Sequence, residues 1–400
     1  MSDIKALCNR MVEVAMKEKQ FAITSPAMIY LDDDYNKIEK SAVIDSGWMS
    51  IAHLSQLASQ GSYLCVDIFD EPIIVIKNDT DEVHAFSRVC PHRSADILYE
   101  SQTTGTCRRL VCPYHAWTFD LDGKLVYAPQ MDKLPEWDGT DINLHEFRTE
   151  IWNGFIFINI DGKAQPLKDL YSEFSQTISP WPMNNMQVIF EQSWTGDFNW
   201  KIMVENWSEF YHHVGAHSKT LEIDFPSEDV LIDPEHDYYM RTVAPYRNST
   251  REKDSASYSS ANASFSFPKF NDLPLGDDRD IWVFLGYPCF LFMTAVDSVY
   301  WLRVIPKSST KCEILTTILV DKDNIKLEDF ESRKDTLAKF FVDFHIEDMF
   351  VNTSVSKGLK SRYVQTSRLA DTENQVWMFY RFLARQLIKN NLTDYPESSL

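Results

Sequence analysis

Two short runs, Cys90-Pro91-His92 and Cys112-Pro113-Tyr114-His115, decide how this chain folds and what it binds. Nineteen residues separate them, and each run offers one thiolate and one imidazole. Pro follows Cys directly in both runs, and the second run continues into Trp117-Thr118-Phe119-Asp120. Unrelated Cys and His residues would rarely share this arrangement, so the runs predict two loops that hold one metal centre.

The alternation of Cys and His selects the kind of centre. Zinc sites with two Cys and two His usually group like ligands, as C-x2–4-C followed by H-x3–5-H. A Rieske [2Fe-2S] cluster instead places two Cys on one iron and two His on the other. The pattern therefore favours a Rieske cluster, a one-electron carrier, with Cys90, His92, Cys112 and His115 as its ligands.

Length and composition limit the classes of protein to which this chain can belong. Four hundred residues exceed the usual single domain, which predicts two domains. The net charge of −20 disfavours nucleic acid and anionic membranes as partners, because both bind clustered Lys and Arg. The seven Cys are too scattered for a disulfide framework, and the first residues lack the apolar core of a signal peptide. We therefore expect a cytoplasmic protein without a membrane or nucleic-acid partner.

The pattern of apolar residues changes twice along the chain. Short β-rich runs lie between residues 48 and 160, whereas longer strands and two long helical stretches follow. We expect an N-terminal helical segment over 1–45 that packs on the last domain, a Rieske [2Fe-2S] domain over 46–160, and an α+β domain over 161–400. The polar stretch 246–266 predicts a mobile loop.

A second informative run is Glu209-Phe210-Tyr211-His212-His213-Val214-Gly215-Ala216-His217, which we expect to begin in a helix over 200–213. His212 and His217 are five residues apart, so they reach one ion only if the helix breaks between them, and Gly215 suits that break. Two His and one carboxylate form the facial triad of non-haem Fe(II) oxygenases, which leaves positions open for O2. If this run is considered on its own, a helix whose three His are merely packed or solvated is more common than an iron site.

Helix geometry leaves two questions about this iron site. Adjacent residues on a helix point about 100° apart, so we expect His213 not to share the ion with His212. The carboxylate ligand has three candidates in the later long helix, Asp343, Glu347 and Asp348, and helix-face spacing does not choose among them.

Both runs resemble those of the alpha subunits of ring-hydroxylating Rieske oxygenases. That family's second cluster loop usually reads C-P-Y-H-G-W, and Ala116 stands at its Gly position, where a positive φ would strain the loop. Its iron motif, E/D-x-x-H-x-x-x-x-H, matches Glu209, His212 and His217 in order and spacing. Its third ligand is the Asp of an acidic pair, which corresponds here to Asp348.

The resemblance implies an α+β fold in which an antiparallel β Rieske domain joins a helix-grip (START-like) catalytic domain with a curved antiparallel sheet and long helices. It also implies a homotrimer in which the cluster of one subunit serves the iron of the next. Glu209 would then bridge the two centres, by contacting His212 of its own chain and His115 of a neighbouring subunit. Such a carboxylate would also orient the imidazole.

The function implied is that of a terminal oxygenase that activates O2 with a Rieske cluster and mononuclear Fe(II), and hydroxylates or oxidatively demethylates a small organic substrate. Electrons would come from NAD(P)H through a separate reductase, with or without a ferredoxin, because the chain has no Gly-rich dinucleotide motif. Glu209 resembles the branch that acts on quaternary amines. Trp207, Phe210 and Tyr211 are candidates for a cation-binding aromatic cage, although aromatics at helical spacing are more often core, and Asn206 is a further candidate pocket residue near the iron.

Two other functions stay open. An aromatic-ring cis-dihydroxylating dioxygenase would insert two oxygen atoms into its product instead of one. An electron-transfer or ligand-binding module with a vestigial iron site would keep its function after His212→Ala or Asp348→Ala, although the complete iron motif argues against it.

Overall fold

The computed structural model describes residues 2–98, 103–247, 266–271, 273–276 and 279–400. The chain divides into two compact units, Trp48–Leu167 and Met1–Gly47 with Lys168–Leu400, which we name the β unit and the α+β unit. The β unit is thus inserted between two segments of the α+β unit. Most of the predicted mobile loop, residues 248–265, lies outside the described residues.

The β unit consists of short antiparallel strands. They are β1 (Met49–His53), β2 (Ser62–Ile68), β3 (Glu71–Lys77), β4 (Val83–Ser87), β5 (Thr104–Thr106), β6 (Leu110–Val111), β7 (Thr118–Phe119), β8 (Leu125–Tyr127), β9 (Glu146–Trp152) and β10 (Phe155–Asn159). One sheet has the order β1-β10-β9-β4-β3-β2-β5, and a smaller sheet has the order β6-β7-β8. Each Cys-Pro run follows a strand, the first after β4 and the second after β6.

The apolar core of the β unit lies directly beneath these two loops. Residues 73–76 of β3 are all fully buried, which explains their continuous run of Ile and Val. The core includes both cysteines and the Trp that follows the second run; its members are Tyr63, Ile74, Ile76, Phe86, Cys90, Ile97, Leu110, Cys112, Trp117, Phe119, Leu121 and Leu144. The loops are therefore fixed by the same side chains that hold the sheet together.

The α+β unit contains the long helices and a second seven-stranded antiparallel sheet. The α-helices among the described residues are α1 (Ser2–Ala15), α2 (Asp33–Glu39), α3 (Leu167–Leu170), α4 (Ser172–Ile178), α5 (Trp200–Ser208), α6 (Leu221–Asp224), α7 (Phe330–Leu359) and α8 (Asn374–Lys389). The strands are β11 (Met186–Gly196), β12 (Leu231–Ile232), β13 (Tyr239–Ala244), β14 (Ile281–Gly286), β15 (Phe290–Thr294), β16 (Ser298–Ser308) and β17 (Lys311–Asp321). Their order in the sheet is β11-β17-β16-β15-β14-β13-β12.

This architecture confirms the predicted α+β class with antiparallel sheets and long helices. The apolar run 281–296 forms two fully buried strands, β14 and β15, as its composition predicts. Helix α5 packs against β14 and β16, and α7 packs against α5 and β11. The helix that leads to the predicted histidine ligands and the helix that carries Asp348 therefore pack together on the sheet. Among the described residues, no helix combines the length and apolarity needed to cross a membrane.

Candidate metal centres

The first candidate centre is formed by two loops with the same backbone turn. In each loop the Cys carbonyl accepts the N–H of the residue four positions later, and the Cys N–H donates to the carbonyl five positions later, all at 2.8 to 3.0 Å. Each turn requires a positive φ at its fourth residue after Cys, and both Ser94 and Ala116 have φ of 57°. The repeated turn brings Cys90 and Cys112 to equivalent positions.

The donor atoms of these loops suit a Rieske cluster. Cys90 and Cys112 are 1% and 2% exposed, whereas His92 and His115 lie at the surface with ring centroids 4.7 Å apart. The His92 ring stacks on Trp117 at 4.6 Å, which fixes its plane. Burial raises the pKa of the Cys90 thiol, and the neighbouring Cys112 raises it further, so a bound cation is what would favour the thiolate. Two buried thiols beside two surface imidazoles are the expected ligand set.

The second candidate centre begins where α5 ends. The predicted helix over 200–213 is wrong in its extent, because the helix stops at Ser208 and Glu209 is extended, with φ of −121° and ψ of 161°. The Glu209 carboxylate accepts the backbone N–H of His212 at 3.0 Å and so stabilises the start of a separate 3-10 turn, Tyr211–Val214. The break therefore comes before His212, and Gly215 ends this short turn.

The structure brings His212, His217 and Asp348 together. The Nε2 atoms of His212 and His217 lie 3.6 and 3.0 Å from Oδ1 of Asp348. The opposite nitrogen of each ring faces a second carboxylate: Nδ1 of His212 lies 2.7 Å from Glu209, and Nδ1 of His217 lies 2.6 Å from Glu347. Both imidazoles thus direct Nε2 toward one point beside a buried carboxylate.

The electrostatics of this cluster favour a cation. Burial raises the pKa of Asp348, but the adjacent His217, His212 and His345 more than offset burial and hold it below its usual value. Burial lowers the pKa of His217, whereas the hydrogen bonds and charges of Asp348 and Glu347 bring it above its ordinary value. A buried carboxylate that stays ionised next to two imidazoles is the donor set that Fe(II) takes in a facial triad.

The three carboxylates that the sequence left open have different surroundings. Asp343 forms an ion pair with Lys339 on an exposed part of α7 and contacts neither histidine. Glu347 contacts the Nδ1 atom of His217, on the side of the ring away from Asp348. Asp348 is the one that faces Nε2 of both histidines.

His213 lies closer to the cluster than helix geometry predicted. Its ring centroid is 4.9 Å from that of His212 and 5.1 Å from that of His217, because a 3-10 turn replaces the expected helix. One donor atom from each of the three histidines falls within 4.8 Å of the others. The Nδ1 atom of His213 lies 3.3 Å from the carbonyl of Phe225. Burial, together with the two neighbouring imidazoles, holds the His213 pKa far below its usual value, so this ring is neutral.

A cavity adjoins the histidines, and its empty space is about 660 Å³ when open solvent at its mouth is included. Asn206 and Trp207 line it as expected, and the Trp207 indole is fixed by a 2.9 Å hydrogen bond to the Phe284 carbonyl. The candidate pocket residue Tyr211 does not line it; its position in the 3-10 turn leaves it 53% exposed. Glu209 and Asp348 also line it, and the rest of the lining is aromatic and aliphatic: Phe210, Leu221, Phe225, Ile281, Val283, Met293, Ala295, Phe340, Phe341 and Phe344.

The sequence did not predict two ways in which α7 contributes to the site. Phe340 and Phe344 line the cavity two turns and one turn before Asp348, respectively, and their i, i+4 spacing was a usable signal. Glu347 was considered only as an iron ligand, whereas the structure pairs it with the far nitrogen of His217. No local spacing predicts that contact, since the two residues are 130 positions apart.

Comparison with known proteins agrees with this geometry. Residues 183–389 match the catalytic domain of the ring hydroxylating alpha subunit, and residues 47–138 match the Rieske [2Fe-2S] domain. The carnitine monooxygenase oxygenase subunit of Escherichia coli K12 is 30% identical over 348 residues, which cover 86% of each chain. The glycine betaine monooxygenase oxygenase subunit of Chromohalobacter salexigens is 31% identical over 206 residues, and the chain spans only 46% of that relative.

A solved structure shares the fold. The crystal structure of a quaternary ammonium Rieske monooxygenase has a TM-score of 0.79 at 23% identity, covering 94% of this chain and 98% of that one. The family match alone covers more than half of the chain, and the Rieske match lies over the two Cys-Pro loops. The chain therefore belongs to the Rieske non-haem iron oxygenases, as a ring-hydroxylating alpha subunit that uses a Rieske [2Fe-2S] cluster and a mononuclear iron.

Proposed function

We propose that this chain is a terminal monooxygenase that hydroxylates a methyl group of a small quaternary ammonium compound. The observation that carries the proposal is the approach of both histidine Nε2 atoms to Asp348, at the wall of an aromatic cavity. In such a reaction one atom of O2 enters the substrate and the other leaves as water, which takes two electrons and two protons per turnover.

The ligand assignments are part of this proposal. Cys90, His92, Cys112 and His115 hold the cluster, and His212, His217 and Asp348 hold the iron. When bound, the iron supplies O2 activation and the cluster supplies single electrons. The donor set supports the assignment, because two His and one carboxylate would leave coordination positions of a bound iron open for O2.

Glu209 has two proposed tasks. It accepts the Nδ1–H of His212, which leaves the Nε2 lone pair of that ring for the metal. In a homotrimer it would also connect His212 with His115 of a neighbouring subunit and so carry electrons between the centres. Its short contact to His212 and its low exposure of 9% support a fixed rather than a mobile carboxylate.

The cavity lining supports the substrate class. Trp207, Phe210 and Phe225 line the cavity, and aromatic rings attract a quaternary ammonium group, which cannot form hydrogen bonds. The apolar walls also exclude water from the reacting C–H bond. Hydroxylation of a carbon attached to nitrogen gives a product that breaks down to formaldehyde and the demethylated amine. Relatives named as carnitine and glycine betaine monooxygenase subunits agree with this class.

Electrons are proposed to come from NAD(P)H through a separate reductase. The relatives are named as oxygenase subunits, which agrees with a multicomponent system. A surrogate reductase is therefore needed for any activity measurement.

The test is a turnover assay with 18O2, a surrogate reductase and a panel of quaternary amines. We expect substrate-stimulated O2 uptake, formaldehyde release and one labelled oxygen atom per oxidised substrate. His212→Ala and Asp348→Ala should lower the rate at least 100-fold while the cluster absorbance stays unchanged. Asp343→Asn, which alters an exposed carboxylate on the same helix, is the matched control and should keep the wild-type rate.

The second candidate function is aromatic-ring dihydroxylation, which the ring-lined cavity would also suit. The same assay separates the two, because a dioxygenase would give a diol with two labelled oxygen atoms from aromatic substrates. Wild-type function in His212→Ala would instead indicate a module that does not use the iron site.

A further inference from the structure

We propose that Glu347 is a positioning residue that holds His217 in the tautomer and orientation needed to bind iron. This inference rests on the proposed iron site of His212, His217 and Asp348. Glu347 would act through His217 and would not touch the metal or the substrate.

The contacts of Glu347 are specific. Its Oε2 lies 2.6 Å from Nδ1 of His217, and the same oxygen accepts a 2.7 Å hydrogen bond from the Thr220 hydroxyl. His217 is only 1% exposed, so its ring is held in one place, whereas the Glu347 side chain is 33% exposed. The carboxylate therefore reaches the buried ring from the protein surface, supported by Thr220.

A neutral imidazole has one N–H, and the site offers two places for it. The proton can sit on Nδ1 and face Glu347, or on Nε2 and face Asp348, which lies 3.0 Å away. The second tautomer would block metal binding, because its proton sits on Nε2 and is shared with an Asp348 oxygen, so that neither atom is available to a metal. Glu347 favours the first tautomer, which leaves both ligand atoms available.

The two histidines are supported in the same way by different elements. Glu209 accepts from Nδ1 of His212 at 2.7 Å and comes from the same local segment. Glu347 accepts from Nδ1 of His217 at 2.6 Å and comes from α7, 130 positions away. A carboxylate behind a metal-binding histidine also raises the basicity of the ring, and its removal typically weakens metal binding 10- to 100-fold.

The test measures Co(II) binding to the purified protein with its [2Fe-2S] cluster intact, after anaerobic chelation of the mononuclear iron. We expect Glu347→Ala to raise the Kd for Co(II) roughly 10- to 100-fold and to change the visible d–d bands. Glu347→Gln should fall between Glu347→Ala and wild type, since its amide oxygen still accepts from Nδ1 but carries no charge. Asp343→Asn, one helical turn earlier, should bind Co(II) as the wild type does.

The outcomes distinguish this inference from the proposed function. If wild-type protein binds no Co(II), or binds it equally well as His217→Ala, the proposed iron site fails. If wild-type binding needs His217 but Glu347→Ala keeps the same Kd and spectrum, the positioning role is wrong and the iron site stands. Should Glu347→Ala fail to fold, Glu347→Gln and Thr220→Val decide, because both must weaken Co(II) binding if Glu347 positions the ring.

Discussion

Ala116 shows how a single residue in the second cluster loop carries backbone strain. Its φ of 57° lies in the left-handed region, which costs an L-residue about 1–2 kcal/mol. The loop needs this conformation because the residue closes the turn that presents Cys112, and Ser94 takes the same φ in the first loop. The sequence raised this point correctly, since Ala stands where the family usually has Gly.

Ala116→Gly should therefore stabilise the protein. Relief of the strained φ outweighs the greater backbone entropy of Gly in the unfolded chain, for a net gain of roughly 0.5–1 kcal/mol. Denaturant unfolding followed by the cluster absorbance measures it. Ser94→Gly is the matched change in the other loop and should act in the same direction, whereas lower stability of both variants would show that the turns are not strained.

The positions of His213 and Glu347 in the site could not be predicted from the sequence. The motif spacing was enough to bring His212 and His217 to one site, because both belong to one short segment. It did not predict how near His213 lies to the other two rings, since the helix expected over 200–213 ends at Ser208. It could not assign Glu347, because the distance between α7 and the histidines depends on packing that no local pattern encodes.

At the scale of elements, α5 is anchored by a buried ion pair. The Lys201 ammonium lies 2.6 Å from the Glu39 carboxylate of α2, and the two side chains are 0% and 1% exposed. The indole of Trp200 donates to the same carboxylate at 3.2 Å. Burial lowers the pKa of Lys201 and raises that of Glu39, while each charge opposes the effect on the other. The pair ties the segment before the β unit to the helix that leads to the proposed iron ligands.

Removing one partner of this pair should be costly. Lys201→Met leaves the Glu39 carboxylate buried without its cation and should lower the free energy of unfolding by about 3–5 kcal/mol. Combining Lys201→Met with Glu39→Gln should restore much of the loss, because no unpaired charge remains. Thermal unfolding of the two variants measures the difference. Equal destabilisation by the single and the double change would show that packing, not charge, dominates.

The sequence predicted the bounds of some strands correctly but not the end of α5, and the difference has a physical reason. The apolar strands β14 and β15 follow directly from their composition, since the sheet buries both faces. The end of α5 does not, because residues 200–213 have helical spacing throughout and the carboxylate of Glu209 overrides it. A side chain that accepts a hydrogen bond from a following backbone N–H competes with the helical carbonyl for that N–H. The spacing of apolar residues carries no information about this competition.

At the scale of the whole molecule, the two candidate centres belong to separate compact units. The cluster loops rest on the core of the β unit, and the proposed iron ligands rest on α5, α7 and the second sheet. Each unit therefore has its own apolar core. The α+β class and the presence of two domains were predictable from composition and pattern, because each depends on many residues rather than on one contact.

This separation predicts that the two metal centres can be lost independently. Cys112→Ser should abolish the visible absorbance of the cluster and all turnover, yet leave Co(II) binding at the α+β unit within about threefold of wild type. His217→Ala should do the reverse. Metal analysis together with cluster absorbance measures both. Loss of both metals in either variant would mean that the centres depend on each other to form.

The pairing of α1 with α8 has a consequence for synthesis on the ribosome. Asn9 donates to Asp394 at 2.7 Å across 385 positions, and α1 packs along α8 with Cys8, Met11, Val12 and Ala15 fully buried. At about 5–20 residues per second, the partner helix emerges roughly 20–80 s after α1. The apolar face of α1 stays exposed during that time, whereas the inserted β unit can fold before α8 is made. We therefore expect a nascent-chain chaperone to bind α1 during synthesis.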